Sequence, residues 1–251
     1  MPTPFSHLVA AQSILDDPAV APDVRRLIND HAAAFLLGSV VADGHFLGKL
    51  RRDETHFYSY DRPITLTLWR VMFEKYPSLW HAADEDQRAF LAGYVFHLTM
   101  DEVWTMDMLH VYFAQGEWGT REQRFLMLHV LLIDMDERDQ ALLDDRSFAA
   151  MLDVQPGEWL TFMSAPVLRQ WADLMYRQIK PAGRSETLDI IAPRVGMTPA
   201  ELRAVLDDHA RVERELWAHI PRAALAGIES RMRDRARAEM LTYLQQTKEN
   251  A

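Results

Sequence analysis

Apolar residues recur every three to four positions along most of this chain, the spacing that places them on one face of an α-helix. A first helix is predicted from Ser6, as its cap, to Leu15. Pro22 and Asp23 open a second, with Val24, Leu27, Ile28, His31, Ala34 and Phe35 in register and an end near Gly38. The stretch from Ala42 to Pro63 breaks the pattern and reads as a long irregular loop. Helical spacing resumes over Ile64–Tyr76 and stops at Pro77. Asp84–Phe113 reads as a long central helix in which Phe90, Leu91, Tyr94, His97, Leu98, Asp101 and Trp104 share a face. Further helices are predicted over Arg121–Asp136, Asp145–Leu152 and Pro156–Gln178. A capping box with proline at the first helical position, Thr198-Pro199-Ala200-Glu201, starts another that runs to Trp217, and Pro221 starts the last, to Gln246. No segment alternates with the period of a strand. The expectation is an all-α protein with one domain over 1–251, its ligand-bearing part at 1–135 and the C-terminal helices of 156–247 packed on it.

Composition narrows the chemistry. The 251 residues are 49% hydrophobic, carry a formal charge of -10 and include no cysteine. The acidic balance argues against a nucleic-acid or anionic-membrane surface, since both require a basic face. Without thiolates, any metal site must use nitrogen and oxygen donors. The N-terminal MPTPFSHLVAAQ lacks a positive region followed by a long apolar stretch. The longest apolar run, Ala32–Ala42, is about half the length of a membrane span. A cytoplasmic protein without a membrane span is expected. The late run RMRDRARAEM alternates charge on a helix, as a solvated face or a homo-oligomer contact would.

The candidate chemistry lies in the first half. His97 and Asp101 stand four apart within AFLAGYVFHLTMDEVW, hence on one face of a helix and on its apolar side. A neutral imidazole and a carboxylate so placed are ready ligands for a zinc-like ion, and a buried carboxylate needs a cation or strong donors beside it. His7, Asp43 and His56 join them as candidates. Taken singly, each has a plain alternative: a surface or loop histidine, a turn aspartate before Gly44, or a His–Asp pair that only hydrogen-bonds to itself. The metal reading therefore rests on the combination, and on the short apolar stretches that lead into the loop candidates. His45, Phe57, Tyr58, Tyr60 and Trp104 flank these residues and are candidates for substrate contact or a pocket wall, with core or surface roles as the alternative. Lys49, Arg51 and Arg52 form a basic cluster in the same loop, which is ordinarily solvated but would attract a phosphate. His31 reads as structural, and His81, His209 and His219 read as surface residues.

PFSHL, FLLGSVVADG, ETHF and AGYVFHLTMDEVW together resemble the bacterial zinc-dependent phospholipases C, whose all-helical fold is shared by the S1/P1-type nucleases. The resemblance covers roughly residues 4–104 and fades beyond. It implies that His7, Asp43, His56, His97 and Asp101 ligate divalent metal, zinc in most of the family, at a site that hydrolyses a phosphoester. It also implies that Asp43 orients the attacking water as general base. Downstream, His110 and His129 are the available further ligands. The family's second pair is HxxxE, but the fourth residue after His129 is Ile133; Asp134 comes one position late, and Asp107 is the nearest local substitute. One or two ions are expected rather than three. The implied substrate is a small or lipid-like phosphodiester or phosphomonoester. The alternatives are a metal-binding helical protein without catalysis and a metal-free interaction module.

Overall fold

The computed structural model describes residues 2–60, 64–65, 67–143 and 148–249, and among these every regular element is a helix. The N-terminal half contains α1 (Pro4–Leu15), α2 (Pro22–Asp30), α3 (Ala32–Gly38), a 3-10 turn (Val41–Phe46), α4 (Arg52–His56) and α5 (Leu68–Lys75). The central α6 (Glu85–Trp104) continues into a π-helical segment (Thr105–Ala114) and is followed by α7 (Arg121–Gln140). The C-terminal part contains α8 (Ala165–Ile179), α9 (Thr187–Ile191), α10 (Pro199–Asp207), α11 (His209–Val212) with its own π extension (Glu213–Trp217), and α12 (Arg222–Glu249).

Helix α6 is the axis of the core. Asp84 caps it, accepting from the Gln87 backbone N–H at 2.7 Å. From Ala89 to Asp101 every side chain is buried, because the helix has neighbours on all sides. Helix α3 lies against one flank and α12 runs along another. Three arginines of RMRDRARAEM pair within the chain: Arg231 with Asp107 at 2.9 Å, Arg235 with Glu239 at 2.8 Å, and Arg237 with Asp17 at 2.7 Å. Among the described residues, no helix is long and apolar enough to cross a membrane.

Several sequence-level boundaries change. The first helix starts at Pro4, and Ser6 is not its cap: the Ser6 hydroxyl donates to Asp139 Oδ2 on α7 at 2.6 Å. The helix expected from Pro22 to Gly38 breaks at His31 (φ -120°, ψ 33°), whose ring pairs with Asp86 at 2.6 Å. The break lets the all-apolar α3 turn inward while the polar α2 stays at the surface. The loop expected over 42–63 contains the 3-10 turn and α4, both folded onto the core; residues 61–63 lie outside the described residues. The central helix changes register after Trp104, where i→i+5 bonding replaces i→i+4. Of the short helix expected at Asp145–Leu152, residues 145–147 lie outside the described residues, and Ala150–Asp153 forms a 3-10 turn.

Candidate metal centre

The sequence Gly93-Tyr94-x-x-His97-x-x-x-Asp101 on α6 contributes two ligand candidates and the means of placing others. Gly93 faces α3, where a Cβ would lie 2.1 Å from the Phe35 carbonyl oxygen. That close approach brings the Ser39 carbonyl within 2.9 Å of His97 Nδ1. Tyr94 donates its hydroxyl to the Thr55 carbonyl at 2.9 Å and so fastens α4, with His56, to α6. Within α4, His56 Nδ1 lies 3.1 Å from the Arg52 carbonyl, and Glu54 accepts from the Arg51 backbone N–H at 2.8 Å. The chain then leaves α4 through Phe57 in the left-handed region (φ 61°). Thr55 ties α4 to the 3-10 turn that carries Asp43, its hydroxyl donating to the Ala42 carbonyl at 3.0 Å. Ser6, anchored on Asp139, precedes His7 on α1.

These supports bring His7, Asp43, His56, His97 and Asp101 together. His56 Nε2 lies 3.3 Å from Asp43 Oδ1 and 3.5 Å from Asp101 Oδ2. His97 Nε2 lies 3.4 Å from Asp101 Oδ2 and 3.5 Å from His56 Nε2. The other oxygen, Asp101 Oδ1, lies 3.3 Å from His7 Nε2, and the His7 and His97 rings stack at 4.0 Å. A carbonyl can only accept, so the Nδ1 atoms of His56 and His97 carry the hydrogens and their Nε2 lone pairs face the cluster. Lone pairs thus face lone pairs. His7 Nδ1 and Nε2, both Asp101 oxygens and Asp43 Oδ2 are buried without hydrogen-bond partners. A bound cation would satisfy the facing atoms among these at once. The spacing fits a metal: bonds of about 2.0–2.1 Å in tetrahedral coordination place ligand atoms about 3.3–3.4 Å apart. His7, His97 and Asp101 form one group able to hold an ion; Asp43, His56 and His97 form another.

The electrostatics agree with cation binding. Burial pushes His7 and His56 down, His56 to about 4, so both rings are neutral near pH 7. Burial also opposes charge on His97, but the Asp101 carboxylate outweighs it and His97 moves up. Asp43 is held at about 2, because contact with His56 and the charge on His97 outweigh its burial. Asp101 lies well below the ordinary carboxylate range, its burial outweighed by His97 and His7. Two carboxylates therefore stay ionised beside the neutral rings of His7 and His56, the protonation state that a metal requires of those four ligands, and a bound cation would displace any proton from His97.

A cavity of about 700 Å3 opens beside the cluster, and Asp43, His45 and Arg52 lie in its wall. Asp43 is 17% exposed, whereas the side chains of His7, His56, His97 and Asp101 are fully buried. Asp43 is thus the cluster residue that the cavity reaches. Much of the remaining wall is apolar, including Leu128, Leu132, Met175 and Ile191.

The other sequence candidates are placed differently. His110 and His129 line the cavity but join neither ligand group among the described residues. His129 Nδ1 is committed to the Phe125 carbonyl at 2.6 Å. Ile133 is in the core, Asp134 is exposed and lines a separate pocket with His209 and Trp217, and Asp107 is held by Arg231 at the surface. Phe57 and Trp104 are core residues outside the cavity wall: Phe57 packs on Tyr76 and Phe162, and Trp104 is fully buried. His45 is in the wall, its ring 5.9 Å from that of His56. Sequence reasoning missed the parts played by Ser39, Thr55 and Tyr94. All three lie inside quoted motifs, but only Tyr94 shares the predicted helix face of His97 and Asp101.

A family model described as zinc dependent phospholipase C matches residues 6–150, more than half of the chain. Neither the curated proteins nor the solved structures include a significant match.

Proposed function

The chain belongs to the zinc-dependent phospholipase C family, and on that premise we propose that it is a zinc-dependent phosphoesterase that hydrolyses a lipid-like or small phosphoester in the cavity beside Asp43. The observation that carries this reading is the convergence of buried ring nitrogens and carboxylate oxygens at 3.3–3.5 Å from one another, the spacing of ligand atoms around a metal. Asp43, His56, His97 and Asp101 Oδ2 would hold one divalent ion; His7 and Asp101 Oδ1 would contribute to a second. The chemistry such ions supply is polarisation of phosphoryl oxygens and acidification of water near neutral pH.

The chain's own groups define the rest. Ser39 and Arg52 fix the tautomers of His97 and His56 through their carbonyls. Asp43, ionised and partly exposed, is the carboxylate placed to accept a proton from a water in the cavity. The apolar wall suits the hydrocarbon part of a lipid-like substrate.

The test has two parts. Elemental analysis of protein purified without a histidine tag should find one or two zinc ions per chain. A panel of lecithin-like lipids, bis-p-nitrophenyl phosphate and phosphomonoesters should then show zinc-dependent hydrolysis of at least one class. Bound zinc with no turnover across the panel would leave a metal that only braces the helices. Absence of metal would defeat the reading altogether.

A further inference from the structure

Arg52 stands out beside the cluster. It opens α4, the same single turn that carries His56. Its guanidinium carbon lies 4.5 Å from the centre of the Tyr58 ring and 4.7 Å from that of Tyr60. Its Nη2 donates to the Tyr58 hydroxyl at 2.8 Å, and that hydroxyl meets Thr105 Oγ1 at 2.9 Å. The same Nη2 lies 3.7 Å from Asp101 Oδ2, the oxygen that faces His56 and His97. Although the side chain is only 23% exposed, Arg52 lies in the cavity wall together with Asp43 and Tyr60. A cation packed against two rings and bonded to one hydroxyl has lost much of its rotamer freedom, so contact with an anion costs little further ordering. The position is also electrostatically directional. Asp43 and Asp101 would neutralise a divalent ion held between them, and Arg52 adds positive charge to the same wall. A planar guanidinium beside a metal centre matches the oxygens of a phosphoryl group.

We propose that Arg52 is a phosphoryl-binding residue, its guanidinium held by Tyr58 and Tyr60 so as to donate to a non-bridging oxygen of a phosphoryl group bound at the centre. The shared chemistry is the phosphoryl oxygen, whether it belongs to a phosphodiester or to a phosphomonoester or free phosphate. This rests on the metal-centre reading above.

The test uses the full chain loaded with zinc, and phenylglyoxal as a guanidinium-specific label read out by peptide mass mapping. Saturating inorganic phosphate should protect Arg52 about tenfold or more while leaving the exposed Arg26 labelled as before. Dimethyl phosphate in a parallel arm probes the diester: protection by either anion supports the role, and the one that protects more identifies the charge state preferred. In calorimetry, Arg52→Met with full zinc content should bind inorganic phosphate about tenfold or more weakly, and Arg52→Lys should fall between it and the wild type. Equal labelling of Arg52 with and without both anions overturns the proposal, and because that measurement is made on the wild type, a misfolded variant cannot obscure it. Zinc is quantified in the same samples. Full zinc with an unprotected Arg52 overturns this role alone; protein that takes up no zinc overturns both readings.

Discussion

The Nδ1 atom of His97 donates to the carbonyl oxygen of Ser39 at 2.9 Å, across two helices that touch backbone to backbone. A Cβ on Gly38 would lie 1.9 Å from the Phe90 carbonyl oxygen, and one on Gly93 would lie 2.1 Å from that of Phe35. Each glycine thus admits the other helix's main chain, and the contact aims the Nε2 of His97 at Asp101. The packing of α3 on α6 and the orientation of a ligand are one structural feature.

Gly93→Ala should therefore damage fold and site together. The obstructing atoms are backbone, which cannot rotate away, so the overpacking cost should reach the upper end of the usual range, on the order of 1–3 kcal/mol. Thermal unfolding should show a lower Tm, and zinc content should fall in the fraction that stays folded. A variant with unchanged Tm would contradict the close approach of the two helices.

His97→Ala and His56→Ala should each lose bound zinc, and chelation of the wild type should lower its Tm. A metal that binds only the folded state stabilises it by about 2.7 kcal/mol when present at a hundred times its Kd. His129→Ala, which alters the cavity wall outside the ligand groups, should keep its zinc. Unchanged zinc in both His97→Ala and His56→Ala, read by elemental analysis, would falsify the ligand assignment.

Asp43→Asn keeps the shape of the side chain but removes its charge and basicity. It should retain part of the zinc and lose turnover by roughly 10²–10⁴-fold, the usual cost of removing a general base. The measurement is kcat on whichever phosphoester the panel identifies, with zinc content determined in parallel. Turnover within a factor of two of the wild type, at equal zinc, would remove Asp43 from the chemistry.

A pH effect is expected away from the cluster. Asp136 is fully buried on α7 and accepts from the Ser185 hydroxyl, which in turn accepts from the Thr187 N–H at 3.0 Å. Burial pushes the Asp136 carboxyl up; Ser185 draws it down, and the neighbouring Asp139 adds to the rise. With the folded pKa above the unfolded one, its contribution to stability is fully present below the unfolded value and is lost as pH rises through the folded pKa. Asp136→Asn, neutral at every pH, should therefore gain Tm relative to the wild type between pH 4 and pH 7. A difference in Tm that stays constant over that window would contradict the shift.

The sequence by itself determined the helical class and the five ligand candidates. Helical periodicity is a local property, so the apolar spacing around Phe90, Tyr94 and Leu98 was enough to identify α6. Four-residue spacing likewise fixes His97 and Asp101 on one face whatever surrounds them. Tertiary structure alone decided the rest, because those outcomes depend on groups distant in the chain. Nothing near residue 39 indicates that its carbonyl will meet His97, and nothing near Arg52 distinguishes a clamped guanidinium from a solvated one. His110 and His129 were available as further ligands. The π register after Trp104 and the bond from His129 to Phe125 leave them on the cavity wall instead. Phe57 and Trp104 were equally ambiguous between core and pocket, and packing put both in the core. The segment that read as an irregular loop folds into two short turns, since Thr55 ties the two turns to each other and Tyr94 fastens them to α6, support that five- and six-residue elements are too short to provide alone.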